Sequence, residues 1–156
     1  LWIEREDYED KPPKGYFRLF PGNEVRLRFG YVVKCLGMEN GVVRCTYHPH
    51  SRSGTPGADS YKVKGNIHWV SARHAHGARV NLYDRLFRVA EPGKEREFLQ
   101  DINPDSRKVV DAMLEPALAR TQSRQAWQFE RHGYFVADDD GKSFNRTVTL
   151  RDSWTK

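Results

Sequence analysis

Apolar and polar residues alternate along most of this chain, with the period of two that puts successive side chains on opposite faces of an extended strand. In "NEVRLRF", Val25, Leu27 and Phe29 fall on one face and Arg26 and Arg28 on the other. The alternation returns in "KVKGNIHW", where Val63, Gly65, Ile67 and Trp69 oppose Lys62, Lys64 and His68. It returns again in "RVNLYDR", where Val80, Leu82 and Asp84 oppose Asn81, Tyr83 and Arg85. The opening "LWIEREDYED" begins as a strand, with Leu1 and Ile3 on one face and Trp2 on the other, then runs into a solvated acidic turn. "KPPKG" closes that segment, because two prolines continue neither ladder nor helix. "PGN" at 21–23, "ENG" at 39–41 and "DDDGKS" at 138–143 supply turn chemistry between strands. Short strands joined by turns at regular intervals predict a mainly β chain, an antiparallel barrel or sandwich.

Two segments depart from the alternation. "HPHSRSGTPGAD", 48–59, reads as a loop without core residues. In "SRKVVDAMLEPALAR", Val109 and Val110 are β-branched and Pro116 interrupts any helix, so a strand to Glu115 and a short helical turn through "PALAR" are predicted. The chain then returns to β in "AWQFERHGYFVAD" and "FNRTVTLRDSW".

Composition narrows the classes available. No apolar run reaches the roughly 20 residues a bilayer-spanning helix needs, and no signal-like segment opens the chain. A start at Leu1, inside a strand-like pattern, is expected of a piece of a longer protein. Cys35 and Cys45 are the only cysteines and form no CxxC pair, which fits a reducing cytoplasm and two small buried apolar residues. Charge is more telling. The formal net is +5, but residues 1–10 carry five acids against Arg5, a net of −4, leaving +9 on the remainder. A basic body of this size favours an anionic partner, nucleic acid above all, although solubility alone also explains it.

The candidate chemistry follows the same lines. Six histidines, with His48 and His50 around Pro49 and His74 two before His76, show no standard zinc-ligand spacing. Asp138, Asp139 and Asp140 occupy a turn, where carboxylates cap backbone donors. No nucleophile elbow, phosphate-cradling glycine loop or HExxH is present, so no catalytic residue and no metal site is assigned. The arginines and aromatics stand apart. Arg18 follows "KGYF", Arg26 and Arg28 share a strand, and "QFER" places Gln128 and Arg131 on either side of Phe129. Flat side chains that stack on bases, with forks and amides that bond their edges, are what single-stranded RNA recognition requires. From composition alone, a solvated outer face over core aromatics explains the same residues equally well.

The strings "GNEVRLR", "KVKGNIHWVSARHA", "LYDRLF", "INP", "EPALA", "QFERHGYF" and "FNRTVTLRDSW" occur in the order found in glutaminyl-tRNA synthetases, class I aminoacyl-tRNA synthetases. Together they resemble that family's C-terminal anticodon-binding region over essentially the whole chain. The related glutamyl enzymes share the architecture, and "FNRTVTLRDSW" looks more like the glutaminyl branch. The resemblance implies two antiparallel β-barrels, with one or two short helical turns and the anticodon loop held between the barrels. Residues 14–88 would form a complete distal barrel. Residues 1–13 would be a remnant of the proximal barrel, and 89–156 would return to it, leaving it partial. It implies a parent ATP-dependent glutamine–tRNA ligase whose catalytic domain lies in cis, no cofactor within this chain, tRNA(Gln) as partner, no membrane, and no need for more than a monomer. Other classes compatible with the residues are a protein-interaction barrel without an RNA role and a metal-dependent enzyme using the histidines.

Site residues follow from the resemblance position by position. Arg18 matches the arginine expected to read the guanine at the third anticodon position, and Gln128 and Arg131 match residues around the central uracil. Arg28 and Arg26 fall where the first base and flanking phosphates are contacted, and Lys14 where a backbone-contacting lysine is common. Phe17 stands where some relatives place a lysine, exchanging a phosphate contact for a stacking surface.

Overall fold

A computed structural model describes residues 1–150 of the chain; the last residues of the "FNRTVTLRDSW" string lie outside the described residues. The chain divides into two units, Leu1–Arg73 and a second from His74 onward.

In the first unit the strands are β1 (Glu24–Leu27), β2 (Val32–Glu39), β3 (Val42–Tyr47) and β4 (Gly65–Ile67), in the order β3-β2-β1-β4. The β2–β3 hairpin turns on Asn40 and Gly41, both at positive φ (50° and 76°), as a two-residue turn matched to strand twist requires. Val25 and Leu27 point into a core shared with Tyr8, Leu19, Val33, Cys35 and Ile67. β4 runs parallel to β1 at its other edge. The pairing there is close: a Cβ on Gly65 would sit 2.0 Å from the Phe17 carbonyl oxygen and 2.7 Å from Val25 Cγ1. Only glycine fits this strand position.

In the second unit β5 (His76–Tyr83), β6 (Arg107–Leu114), β7 (Ala126–Phe129), β8 (Gly133–Ala137) and β9 (Ser143–Val148) form a sheet of order β6-β5-β9-β8-β7. Ala78, Val80, Leu114, Phe135, Ala137 and Phe144 fill its core. A 3₁₀ turn at Pro116–Arg120 follows β6, as "PALAR" predicts, and drops Leu118 into that core. Among the described residues there are four 3₁₀ turns and no α-helix.

The mainly β class holds, with three corrections. Both sheets are mixed, since β1–β4 and β5–β9 pair in parallel, and neither closes into a barrel through strand pairing among the described residues. Prolines and glycines between His48 and Lys64 keep that segment out of the first ladder, so β3 and the three-residue β4 remain edges. Phe29 does not share the face of Val25 and Leu27: β1 ends at Leu27, and Phe29 sits in the following turn at φ 57°, 76% exposed. The opening segment forms only single bridges, Trp2 to Val70 and Tyr8 to Leu19, around a 3₁₀ turn at Arg5–Asp7.

The 48–59 loop also contributes to the interior, contrary to its polar composition. Ser51 is fully buried, accepting from the Val32 amide (2.8 Å) and donating to the His48 carbonyl (2.7 Å). Cys35 is buried as expected, while Cys45, its partner across β2–β3, is exposed, because β3 lies almost entirely at the surface.

Candidate nucleic-acid interface

The first unit carries four of the residues singled out in the sequence. Lys14 is exposed in a turn closed by the Tyr16 amide on the Pro13 carbonyl, 3.2 Å. Beside it Tyr16, Phe17, Phe20, Lys62 and Lys64 line an open cleft of about 480 Å³. Phe17 is half exposed, and the Lys64 ammonium lies 5.2 Å from its ring centroid. A positive charge therefore lies over the Phe17 ring.

Arg18 is held from below. Its Nη1 donates to the Glu6 carbonyl at 3.1 Å and pairs with Asp7 Oδ1 at 3.2 Å, with the arginine side chain 38% exposed and that of Asp7 fully buried. The Tyr16 hydroxyl donates to the same Glu6 carbonyl, 3.0 Å, and burial pushes its ionisation upward. The acidic run read as a solvated turn therefore contains one residue, Asp7, that is part of the interior.

Arg26 is engaged by the loop that follows β3. Its Nη1 donates to the Ser51 carbonyl (2.6 Å), and its Nη2 to the carbonyls of Ala58 and Tyr61 (3.2 Å each). The guanidinium clamps the 48–61 loop onto β1. Arg28 lies beyond the strand end, its guanidinium carbon 4.8 Å from the centroid of the exposed Phe29 ring, and its carbonyl accepts from Trp69 Nε1 at 3.0 Å. Arg26 and Arg28 are consequently one clamp and one turn residue, not a common strand row.

The second unit carries Gln128 and Arg131 on the β7–β8 hairpin. Alternation sends Phe129 inward, where its ring stacks on Phe135 (centroids 4.3 Å apart, planes 18°) and meets Phe144 at 5.5 Å. Gln128 is thereby turned outward, exposed opposite Tyr134, which is 47% exposed. Glu130, Arg131 and His132 form the connecting loop, with Arg131 exposed at φ 70°. The hairpin thus carries an amide, a ring and a guanidinium at the surface, the side-chain types that read unpaired bases.

The remaining polar clusters are structural. Asp140 Oδ1 accepts from the amides of Lys142 (2.8 Å) and Ser143 (2.9 Å), which hold its carboxyl below the usual range. Asp139 accepts from Arg124 Nε at 2.9 Å. His48 Nε2 meets Glu24 Oε1 at 3.2 Å with its ring against Tyr61. Among the described residues no three His, Cys, Asp or Glu side chains gather closely enough to hold a metal ion, and no helix is long and apolar enough to cross a membrane. The contribution of Asp7 was missed in the sequence, where nothing separates it from the four acids around it.

Two family models with the same description, tRNA synthetases class I (E and Q), anti-codon binding domain, match residues 1–48 and 66–138. The chain belongs to this family of anticodon-binding domains. Its similar curated relatives are glutamine–tRNA ligases: 58% identical in Cupriavidus metallidurans and 56% in Ralstonia pickettii, each over 100% of this chain and 29% of the relative. A third, from Bordetella pertussis, is 54% identical over 99% of this chain and 28% of its own length. The chain thus spans less than a third of these ligases and matches their C-terminal part.

Proposed function

We propose that this chain recognises the CUG or UUG anticodon loop of tRNA(Gln), in a glutamine–tRNA ligase that esterifies glutamine to the tRNA using ATP. Catalysis resides in a domain elsewhere in the same polypeptide, and the protein acts as a cytoplasmic monomer. The observation that carries the reading is the 58% identity across the whole chain to a glutamine–tRNA ligase. Its support in the structure is the β7–β8 hairpin, where a buried ring stack turns Gln128 and Arg131 outward. Gln128 and Arg131 read the central uracil, Arg18 reads the third-position guanine, and Lys14 and Arg28 contact the loop around the first base and its phosphates. Arg26 serves by holding the surface on which Arg28 sits. A site built to bond one base edge leaves polar groups unpaired against another, at about 1–3 kcal/mol per mismatch.

The test compares binding of an anticodon stem-loop carrying CUG with one carrying CCG, using the full-length protein at two salt concentrations. A preference for the uracil loop of roughly 5- to 100-fold is expected, reduced to under about threefold in Gln128→Ala. Phosphate contacts alone give steep salt dependence without discrimination. Equal binding of the two loops by the unsubstituted protein would refute the reading.

A further inference from the structure

We infer that Asp7 and the Glu6 carbonyl are a positioning pair that presets Arg18 for a bidentate contact to guanine; this rests on the role of Arg18 proposed above. Both contacts fall on one nitrogen, Nη1. In a guanidinium the Nε–H and Nη2–H bonds lie parallel along the edge away from Nη1, and that edge is the one that fits two neighbouring acceptors. Among the described residues Arg18 makes no other side-chain hydrogen bond, and its side chain is 38% exposed. The edge that these two contacts do not use is therefore the fork suited to O6 and N7 of guanine, whereas adenine presents a donor at the first of these positions.

The backbone fixes this arrangement independently of the side chains. The Leu19 amide donates to the Asp7 carbonyl (2.9 Å) and the Glu9 amide to the Leu19 carbonyl (3.0 Å), so the residue before Leu19 is registered against the segment that ends in Asp7. The Tyr16 hydroxyl, on the same Glu6 carbonyl, braces the approach. The aspartate carboxylate is fully buried and has no access of its own to a ligand. Anchoring one end of a flexible side chain before the RNA arrives lowers the ordering cost of binding and fixes the direction of its donors.

The experiment uses the full-length protein and CUG stem-loops whose third base is guanine, 7-deazaguanine (which lacks the N7 acceptor) or adenine. The unsubstituted protein is expected to bind the 7-deaza loop about tenfold more weakly than guanine. Arg18→Lys keeps a charge against Asp7 without the fork, and the difference should shrink to under about threefold. Asp7→Asn should cause the same collapse at the third position while leaving the central-uracil preference at its original value. Full third-position discrimination in Asp7→Asn would overturn the inference while leaving Arg18 as the reader. Loss of discrimination at both positions would also overturn it, showing that Asp7 acts through general folding. Full discrimination in Arg18→Lys would instead remove the reading of Arg18 itself.

Discussion

At the scale of single residues, burial sorts the charged side chains that the sequence presents as equivalent. Arg26 and Arg28 alternate with apolar residues in the same string, yet one donates to three loop carbonyls and the other lies on an exposed ring. Charged hydrogen bonds of this kind contribute more than neutral ones, and leaving their acceptors without donors is costly. Arg26→Ala is accordingly expected to lower unfolding stability by roughly 2–4 kcal/mol in urea titration, with third-base discrimination unchanged among the molecules that remain folded. A binding defect without a stability change would return Arg26 to the RNA-contacting set. Gly65 was read as one more member of a strand face, and the signal for its true constraint was present. A glycine inside an alternating strand marks close backbone approach, here to the Phe17 carbonyl. Asp7 left no such signal, because selecting one buried carboxylate from five acids requires the Tyr8–Leu19 bridge, a contact between segments that periodicity does not register.

At the scale of elements, the strands were legible wherever side chains alternate, and the β6 strand with its following 3₁₀ turn followed from β-branching and Pro116. The parallel pairings of β4 and β9 were not, since strand periodicity is the same in either direction. Loops written in polar residues concealed their internal anchors. Asp101, 2% exposed, binds the segment before it: its Oδ2 accepts from the Gly93 amide at 3.0 Å and its Oδ1 from Arg96 Nε. The Gly93 amide first, and the Arg96 guanidinium next, hold the Asp101 carboxyl below the usual carboxylate range. A carboxyl depressed in the folded state contributes stability that is fully present above its unfolded value, near pH 4, and is lost as pH falls through the lower folded value. Hydrogen exchange at the Gly93 amide should therefore remain protected at about pH 5 and still at about pH 4, and lose protection only in stronger acid, as pH falls through the lowered value of the folded Asp101 carboxyl, ahead of β5 and β6. Asp101→Asn should reduce that protection already at pH 7. Gly93 protection that does not change with acid would contradict the anchoring role.

At the scale of the whole molecule, a basic chain exposes a small set of flat and forked side chains on two β units, and each is supported from inside. Arg18 rests on Asp7, and the β7–β8 hairpin rests on the Phe129–Phe135 stack. The family was legible in its strings, whereas the supports behind Arg18 and the β7–β8 hairpin became visible only with tertiary contacts. The most direct measurement is photo-crosslinking of full-length protein to tRNA(Gln) carrying 4-thiouridine at the central anticodon position or 6-thioguanosine at the third. Attachment from the central base is expected within residues 126–134 and from the third base within residues 14–20. Attachment from both bases to a common peptide elsewhere, such as the exposed β2–β3 hairpin, would contradict anticodon reading by these residues.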